Sequence, residues 1–197
     1  MASATLIALF LLSALTFYAP SNTAQFVKDS SGNIVKNSGR FYILPSLLGN
    51  YRGGIRNLRT GNESIPLSVV QSPFQDDKGL PVTISFEYIP VGVALVSLSF
   101  EYTPEGTPLE WTAVEGFPEG TLVKIGGYYP KPIIGSFYMR DSIFGTKDSY
   151  NLLFCRSLPA CSNVTIVKSD GNLVLAVTQE NPYEFYLETY LPTSADA

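Results

Sequence analysis

From Phe26 onward the chain runs in short apolar stretches, each broken by Gly, Pro, Asn or Asp before a helical period can establish itself. Runs of this length, rich in Val, Ile, Phe and Tyr and bounded by turn residues, predict strands. The clearest are residues 39–45, closed by a proline, and residues 66–71, 93–100, 110–114, 122–126, 136–140, 150–155, 163–167, 172–177 and 183–187. The 93–100 run alternates imperfectly, as a mostly buried strand would. Residues 26–35 read as strand, turn, strand, with Asp29 and Gly32-Asn33 supplying the turn chemistry. Ser169-Asp170-Gly171-Asn172 is the sharpest hairpin signal, an Asp-Gly between two apolar runs. Residues 50–61 read as loop with a short element at Gly53-Gly54-Ile55. Residues 81–85 lead into 85–91, which reads as an exposed loop opening into the next strand.

About a dozen short strands and no helix result. Val69-Val70, Ala113-Val114 and Ile166-Val167 each end a similar strand, roughly 45 to 50 residues apart, a weak internal repeat. Three units of four strands is the arithmetic of a β-trefoil, so the fold class expected is all-β. An immunoglobulin-like sandwich is the alternative, but it carries no threefold pattern.

Residues 1–24 form an apolar stretch that ends in Asn22-Thr23-Ala24, as a secretory signal peptide would; a membrane anchor is the other reading, set back by the shortness of the run and by Pro20. One domain, residues 25–197, then remains. It is expected to be extracellular or vacuolar, with no membrane contact after cleavage. Asn62-Glu63-Ser64 and Asn163-Val164-Thr165 are glycosylation sequons in such a protein. Cys155 and Cys161 are the two cysteines of the chain. In an oxidising compartment they are expected to close a small disulfide loop; two buried thiols or a redox pair are the alternatives, although Cys-x-x-Cys spacing is absent.

Composition narrows the chemistry. The net charge is −4 with no basic run, which argues against nucleic acid. Histidine is absent, which removes Ser-His and Cys-His nucleophile pairs and the usual zinc sites. No glycine-rich phosphate loop is present, and no metal or other cofactor is expected. The 17 acidic residues sit in no recognisable catalytic motif, so an enzyme is not expected. Two aromatic clusters, Tyr128-Tyr129-Pro130 and Tyr183-Glu184-Phe185-Tyr186, are conceivable sugar platforms, or simply strand residues and loop staples.

Several stretches, in order, resemble the plant Kunitz inhibitors of the soybean trypsin inhibitor type. They are Val27-x-Asp29-x-x-Gly32-Asn33-x-Val35 with Phe41-Tyr42-Ile43, Gly53-Gly54-Ile55-Arg56, Thr60-Gly61-Asn62-Glu63, residues 66–72, Asp77-Lys78-Gly79, Glu110-Trp111, Pro118-Glu119-Gly120, Val123-Lys124-Ile125-Gly126 and residues 150–155. Ser31 and Phe41 are small departures from the pattern. The resemblance implies a β-trefoil, expected to be monomeric, that inhibits a serine protease through one substrate-like loop. It places that loop at residues 85–91, with Tyr88, Ile89 and Pro90 at its centre. An asparagine that braces the loop falls at Asn37, which equally suits a plain turn in Asn37-Ser38-Gly39. It also pairs Cys155 with Cys161, a ring in which Arg156 and Leu158 offer a lesser second contact.

Here the chain departs from a trypsin inhibitor. Trypsin-like enzymes hold an Asp at the base of the primary pocket and take Arg or Lys. No Lys or Arg lies between Lys78 and Lys124. Pro90 lacks an N–H and restricts Ile89. The family's first disulfide is missing: Ile65 stands at its first cysteine, and residues 101–106 contain none. Enzymes with apolar primary pockets, of the chymotrypsin, elastase or subtilisin kind, are therefore the expected targets. The alternative is a storage, defence or carbohydrate-binding protein that has lost inhibition.

Overall fold

A computed structural model describes residues 26–46, 52–89, 93–101, 109–127, 129, 132–142 and 147–192. The amino-terminal stretch 1–24, Pro90 and residues 102–108 lie outside them. The strands are β1 (Gly39–Pro45), β2 (Ile55–Leu58), β3 (Ser68–Gln71), β4 (Val82–Ile89), β5 (Val93–Phe100), β6 (Leu109–Phe117), β7 (Gly120–Ile125), β8 (Ser136–Asp141), β9 (Tyr150–Ser157), β10 (Ala160–Ser169), β11 (Asn172–Thr178) and β12 (Glu184–Thr189).

Six of these pair edge to edge in a ring: β1 with β4, β4 with β5, β5 with β8, β8 with β9, β9 with β12, and β12 back to β1. The ring is a closed antiparallel barrel. The other six form the hairpins β2–β3, β6–β7 and β10–β11. Their inner strands β3, β7 and β11 pair with one another in a triangle. A six-stranded barrel capped by three hairpins is a β-trefoil, and each unit of four strands contributes two to the barrel and two to the cap. Closure leaves few free strand edges, which is the physical advantage of the arrangement.

Alternation along the strands feeds the core. In β4, Val82, Ile84 and Phe86 are buried, while Glu87 is exposed. The Phe100 and Trp111 rings meet at a tilt with 5.4 Å between ring centres, and Phe137 meets Phe154 edge-on at 5.2 Å. The repeat read from the dipeptides is out of step by one strand. Val69 lies in β3, an inner cap strand, whereas Ala113 and Ile166 lie in β6 and β10, the outer strands of their hairpins. Val123 and Leu175, which pair with Ala113 and Ile166, hold the place of Val69, which pairs with Asn57. Two adjacent small or β-branched apolar residues suit any buried strand, so the dipeptide could not distinguish the two positions.

Residues 28–34 form one isolated bridge, Lys28 with Ile34, rather than two strands. Asp29 organises the turn: its carboxylate accepts the N–H of Ser31 at 3.0 Å and of Asn33 at 2.8 Å, and Gly32 adopts φ +81°. The same carboxylate accepts from Thr189 Oγ1 at 2.8 Å, and Ser30 N–H donates to Leu187 O at 2.7 Å. The signature motif therefore fastens the amino-terminal arm onto β12. Burial alone would raise the Asp29 pKa, but these hydrogen bonds outweigh it and hold it below the usual aspartate value. A second motif match has a steric cause. A Cβ on Gly54 would lie 2.1 Å from the Lys78 carbonyl oxygen, so the Gly53-Gly54 strand entry and the Asp77-Lys78-Gly79 turn can touch only through glycine.

The loop between β2 and β3 is tied to β7 by a buried ion pair. Lys124, 1% exposed, places Nζ 2.7 Å from Glu63 Oε1 and 2.5 Å from Ser68 Oγ. Tyr129 donates its hydroxyl to Glu63 Oε1 at 2.8 Å, and the Thr60 N–H donates to Glu63 Oε2 at 2.8 Å. The Phe117 ring lies 4.4 Å from the ammonium. Ile65, where the family's first cysteine was expected, packs instead against the core. Burial pushes the Glu63 pKa up, but the bonds from Lys124, Thr60, Tyr129 and Ser68 outweigh it, and the group titrates below an ordinary glutamate.

A depressed carboxylate contributes stability that is fully present above its unfolded value, about 4.3, and is lost as pH falls through the folded value. Glu63→Gln should flatten the acid limb of stability measured by urea unfolding between neutral pH and pH ~3. Lys124→Met should destabilise by about 3–5 kcal/mol by stranding the carboxylate, and adding Glu63→Gln should restore a large part of that loss.

Candidate inhibitory hairpin

The segment singled out in the sequence is the end of the β4–β5 hairpin. Its register runs without a break from Val82 opposite Phe100 to Tyr88 opposite Ala94 and Ile89 opposite Val93. Residues 85–89 are thus strand rather than loop, a correction to the reading of 85–91 as an extended exposed segment. Pro90 itself lies outside the described residues. The physical reason is length: three residues separate Ile89 from Val93, so the ladder can zip until Pro90, which has no N–H to give.

The two edges of β4 differ. Its inner edge pairs with β5 along the whole strand. On the other edge β1 covers only Val82, Thr83 and Ile84. Beyond them Phe86 N–H donates to Asn37 Oδ1 at 2.8 Å, and the Ser38 and Ser85 hydroxyls meet at 3.2 Å. Asn37 lies in the turn before β1, and Ser38, the last residue of that turn, sits at φ +59°, a left-handed bend that swings the chain into the strand. Backbone groups alternate sides along an antiparallel strand. Because the Phe86 N–H faces outward to Asn37, the Tyr88 N–H and C=O, two residues on, face the same outer edge. No described strand pairs with that edge past Ile84.

The other sequence candidates are dispersed. Cys155 and Cys161 form a disulfide across the β9–β10 hairpin with Cα atoms 4.0 Å apart. Arg156, beside it, donates to Glu115, and Leu158 is exposed in the turn. Asn62 is exposed in a turn, whereas Asn163 lies in β10 with Nδ2 donating to Glu180 O at 2.7 Å. Of the aromatic clusters, Phe185 is buried with Tyr183 stacked on it at 6.0 Å, and Tyr129 is occupied by Glu63. Tyr128 and Pro130 fall outside the described residues. No set of three metal-ligating groups occurs among the described residues. The outer edge of β4 that no described strand pairs with past Ile84 was the feature sequence reasoning missed; its one available signal was the shortness of the link between two strand-forming runs.

The legume Kunitz family, described as trypsin and protease inhibitor, matches residues 27–188. The chain belongs to that family, whose characterised relatives here are inhibitors rather than enzymes. Trypsin inhibitor 1B of Erythrina variegata is 34% identical over 164 residues, covering 78% of this chain and 92% of the relative. The Kunitz-type trypsin inhibitor KTI2 of Glycine max is 47% identical over 81 residues, and that match spans 41% of this chain and 39% of the soybean protein. The chymotrypsin inhibitor ECI of Erythrina variegata is 46% identical over 63 residues, 31% of this chain and 34% of the relative. Soybean trypsin inhibitor superposes with a TM-score of 0.74 at 34% identity, covering 84% of this chain and 100% of the other. A further match, at TM-score 0.74 and 34% identity over 84% of this chain and 99% of the other, is that inhibitor in complex with porcine pancreatic trypsin.

Asn37→Ala should leave the Phe86 N–H without its acceptor. Amide exchange at Phe86 should quicken about tenfold, and global stability should fall by about 1 kcal/mol.

Proposed function

We propose that this chain is a secreted serine-protease inhibitor that offers the end of β4, centred on Tyr88 and Ile89, to an enzyme with an apolar primary pocket. A protease reads its substrate as an extended strand added to its own backbone, and a strand edge already held in that shape loses little entropy on docking. The observation that carries this reading is the outer edge of β4 past Ile84, uncovered by β1 and braced at Phe86 by Asn37. Backbone alternation favours Tyr88 over Ile89 as the residue presented. The stretch without Lys or Arg argues against trypsin-like enzymes. The relative named as a chymotrypsin inhibitor lends support from within the family. The Cys155–Cys161 disulfide suits an oxidising compartment, in keeping with export and cleavage before Gln25. Secreted protein from a eukaryotic host should begin at Gln25 on amino-terminal sequencing.

One observation favours a second reading: the ladder zipped to Ile89 and Val93 leaves little loop to present. In that reading the chain is a family member without inhibitory activity, serving storage or defence. Titration against trypsin, chymotrypsin, elastase and subtilisin decides between them. The first reading expects stoichiometric inhibition of at least one of the latter three and none of trypsin. Tyr88→Ala should then raise the inhibition constant by about 30-fold or more, the loss of an interface anchor worth about 2 kcal/mol. Full activity of all four enzymes at micromolar protein would leave the second reading.

A further inference from the structure

Two cavities open side by side at the far end of β1. The larger, about 580 Å³, is lined by Ser31, Ser46, Lys147, Asp148, Tyr186 and Glu188, among others. Its neighbour, about 370 Å³, shares Ser46, Tyr186 and Glu188 with it. Both volumes fall within the roughly 300–1,000 Å³ typical of small-molecule sites. β1 starts beside Asn37 and the inhibitory hairpin and ends at Pro45, one residue before Ser46. The rise along seven residues puts the cavities about 23 Å from that hairpin. They belong to a different end of the barrel.

We infer that this paired cavity is a binding site for a neutral carbohydrate. Tyr186 stands between its two lobes, half-buried, with no hydrogen bond or ring contact among the described residues; Lys78 and Glu188 act on its hydroxyl only through their charge. Its neighbours on the same barrel face are occupied: Lys78 lies 5.9 Å from the Tyr42 ring, and Arg40 lies 4.9 Å from that of Tyr190. Of the aromatic cluster at residues 183–186, Tyr183 and Phe185 stack on each other, and β-strand alternation sends Tyr186 to the opposite face. An apolar ring face with a polar surround is what a sugar requires, since its C–H groups pack on the ring while its hydroxyls bond at the rim. The rim here offers both partners that hydroxyls need. Glu188 and Asp148 accept, and Lys147 donates. Ser46, 4% exposed, has a hydroxyl with no hydrogen-bond partner among the described residues. A buried hydroxyl without a partner is unfavourable, and a ligand or its bound water can supply one. The mixed charge of the rim disfavours a strongly anionic ligand. Glu188 is held in place by Lys78, whose Nζ lies 2.6 Å from its Oε1.

The test uses the mature chain and a panel of glucose, galactose, mannose, N-acetylglucosamine and its trimer, with sialic acid as the anionic comparison. Saturation-transfer NMR should show contact with at least one neutral sugar at millimolar concentration. Backbone amide shifts should then concentrate at Ser30, Ser31, Gly32, Ser46 and residues 147–149. Tyr186→Ala should weaken binding by about tenfold or more, and Glu188→Gln should weaken it severalfold. Inhibition constants against any protease that the hairpin engages should stay unchanged in both variants. Silence from every neutral sugar overturns the proposal, as does tightest binding of sialic acid. Should Tyr186→Ala fail to fold, the shift map of the unaltered protein decides, and shifts centred elsewhere overturn it. None of these outcomes depends on whether the β4 edge inhibits a protease, so the two readings fail separately.

Discussion

β1 closes the barrel, and much else depends on that closure. One of its edges holds β12 through five residue pairs and the other holds β4 through three. If either seam opened, a ring of paired strands would become a twisted sheet with two exposed edges. The amino-terminal arm reinforces the first seam by binding Asp29 to Thr189 and Ser30 to Leu187. The second seam is short, and past Ile84 no described strand pairs with that side of β4. The same strand thus completes the core and sets how far strand pairing extends along that side of β4.

Stability and recognition are kept apart in this arrangement. The Glu63–Lys124 network lies inside, between the β2–β3 loop and β7, where desolvation makes it costly to break. Apolar packing of Ile65 and the ion pair hold the loop. The remaining disulfide clips β9 to β10, remote in sequence from the β4 hairpin. The hairpin therefore depends on strand pairing, the Asn37 bond and the Ser38–Ser85 contact for its shape, not on a covalent staple.

Sequence and structure agree best where local chemistry is decisive. The Asp170-Gly171 turn was readable because both residues tolerate positive φ, and they adopt +47° and +78°. The strand runs were readable from period and composition, and the Asp29 turn from its side-chain acceptor. Residues 85–89 were misread because nothing local separates an exposed loop from a strand whose partner arrives a few residues later. Glu63 and Lys124 stand 61 positions apart and come together only through the pairing of β3 with β7. Asn37 lies in the turn before β1 and its Oδ1 also accepts the Phe86 N–H, a contact across 49 positions that local sequence does not reveal.

What the chain alone determined was the class: strand-forming periods, turn residues at regular intervals, and motif spacing that define a β-trefoil of the Kunitz kind without a basic residue for trypsin. These properties are set by neighbours within a few positions, so one dimension suffices to read them. How far β1 covers β4, which polar groups are buried together and which tyrosine lines the cavities beyond Pro45 were decided only in three dimensions. Each depends on contacts between residues far apart in sequence, and those contacts exist only once the ring has closed.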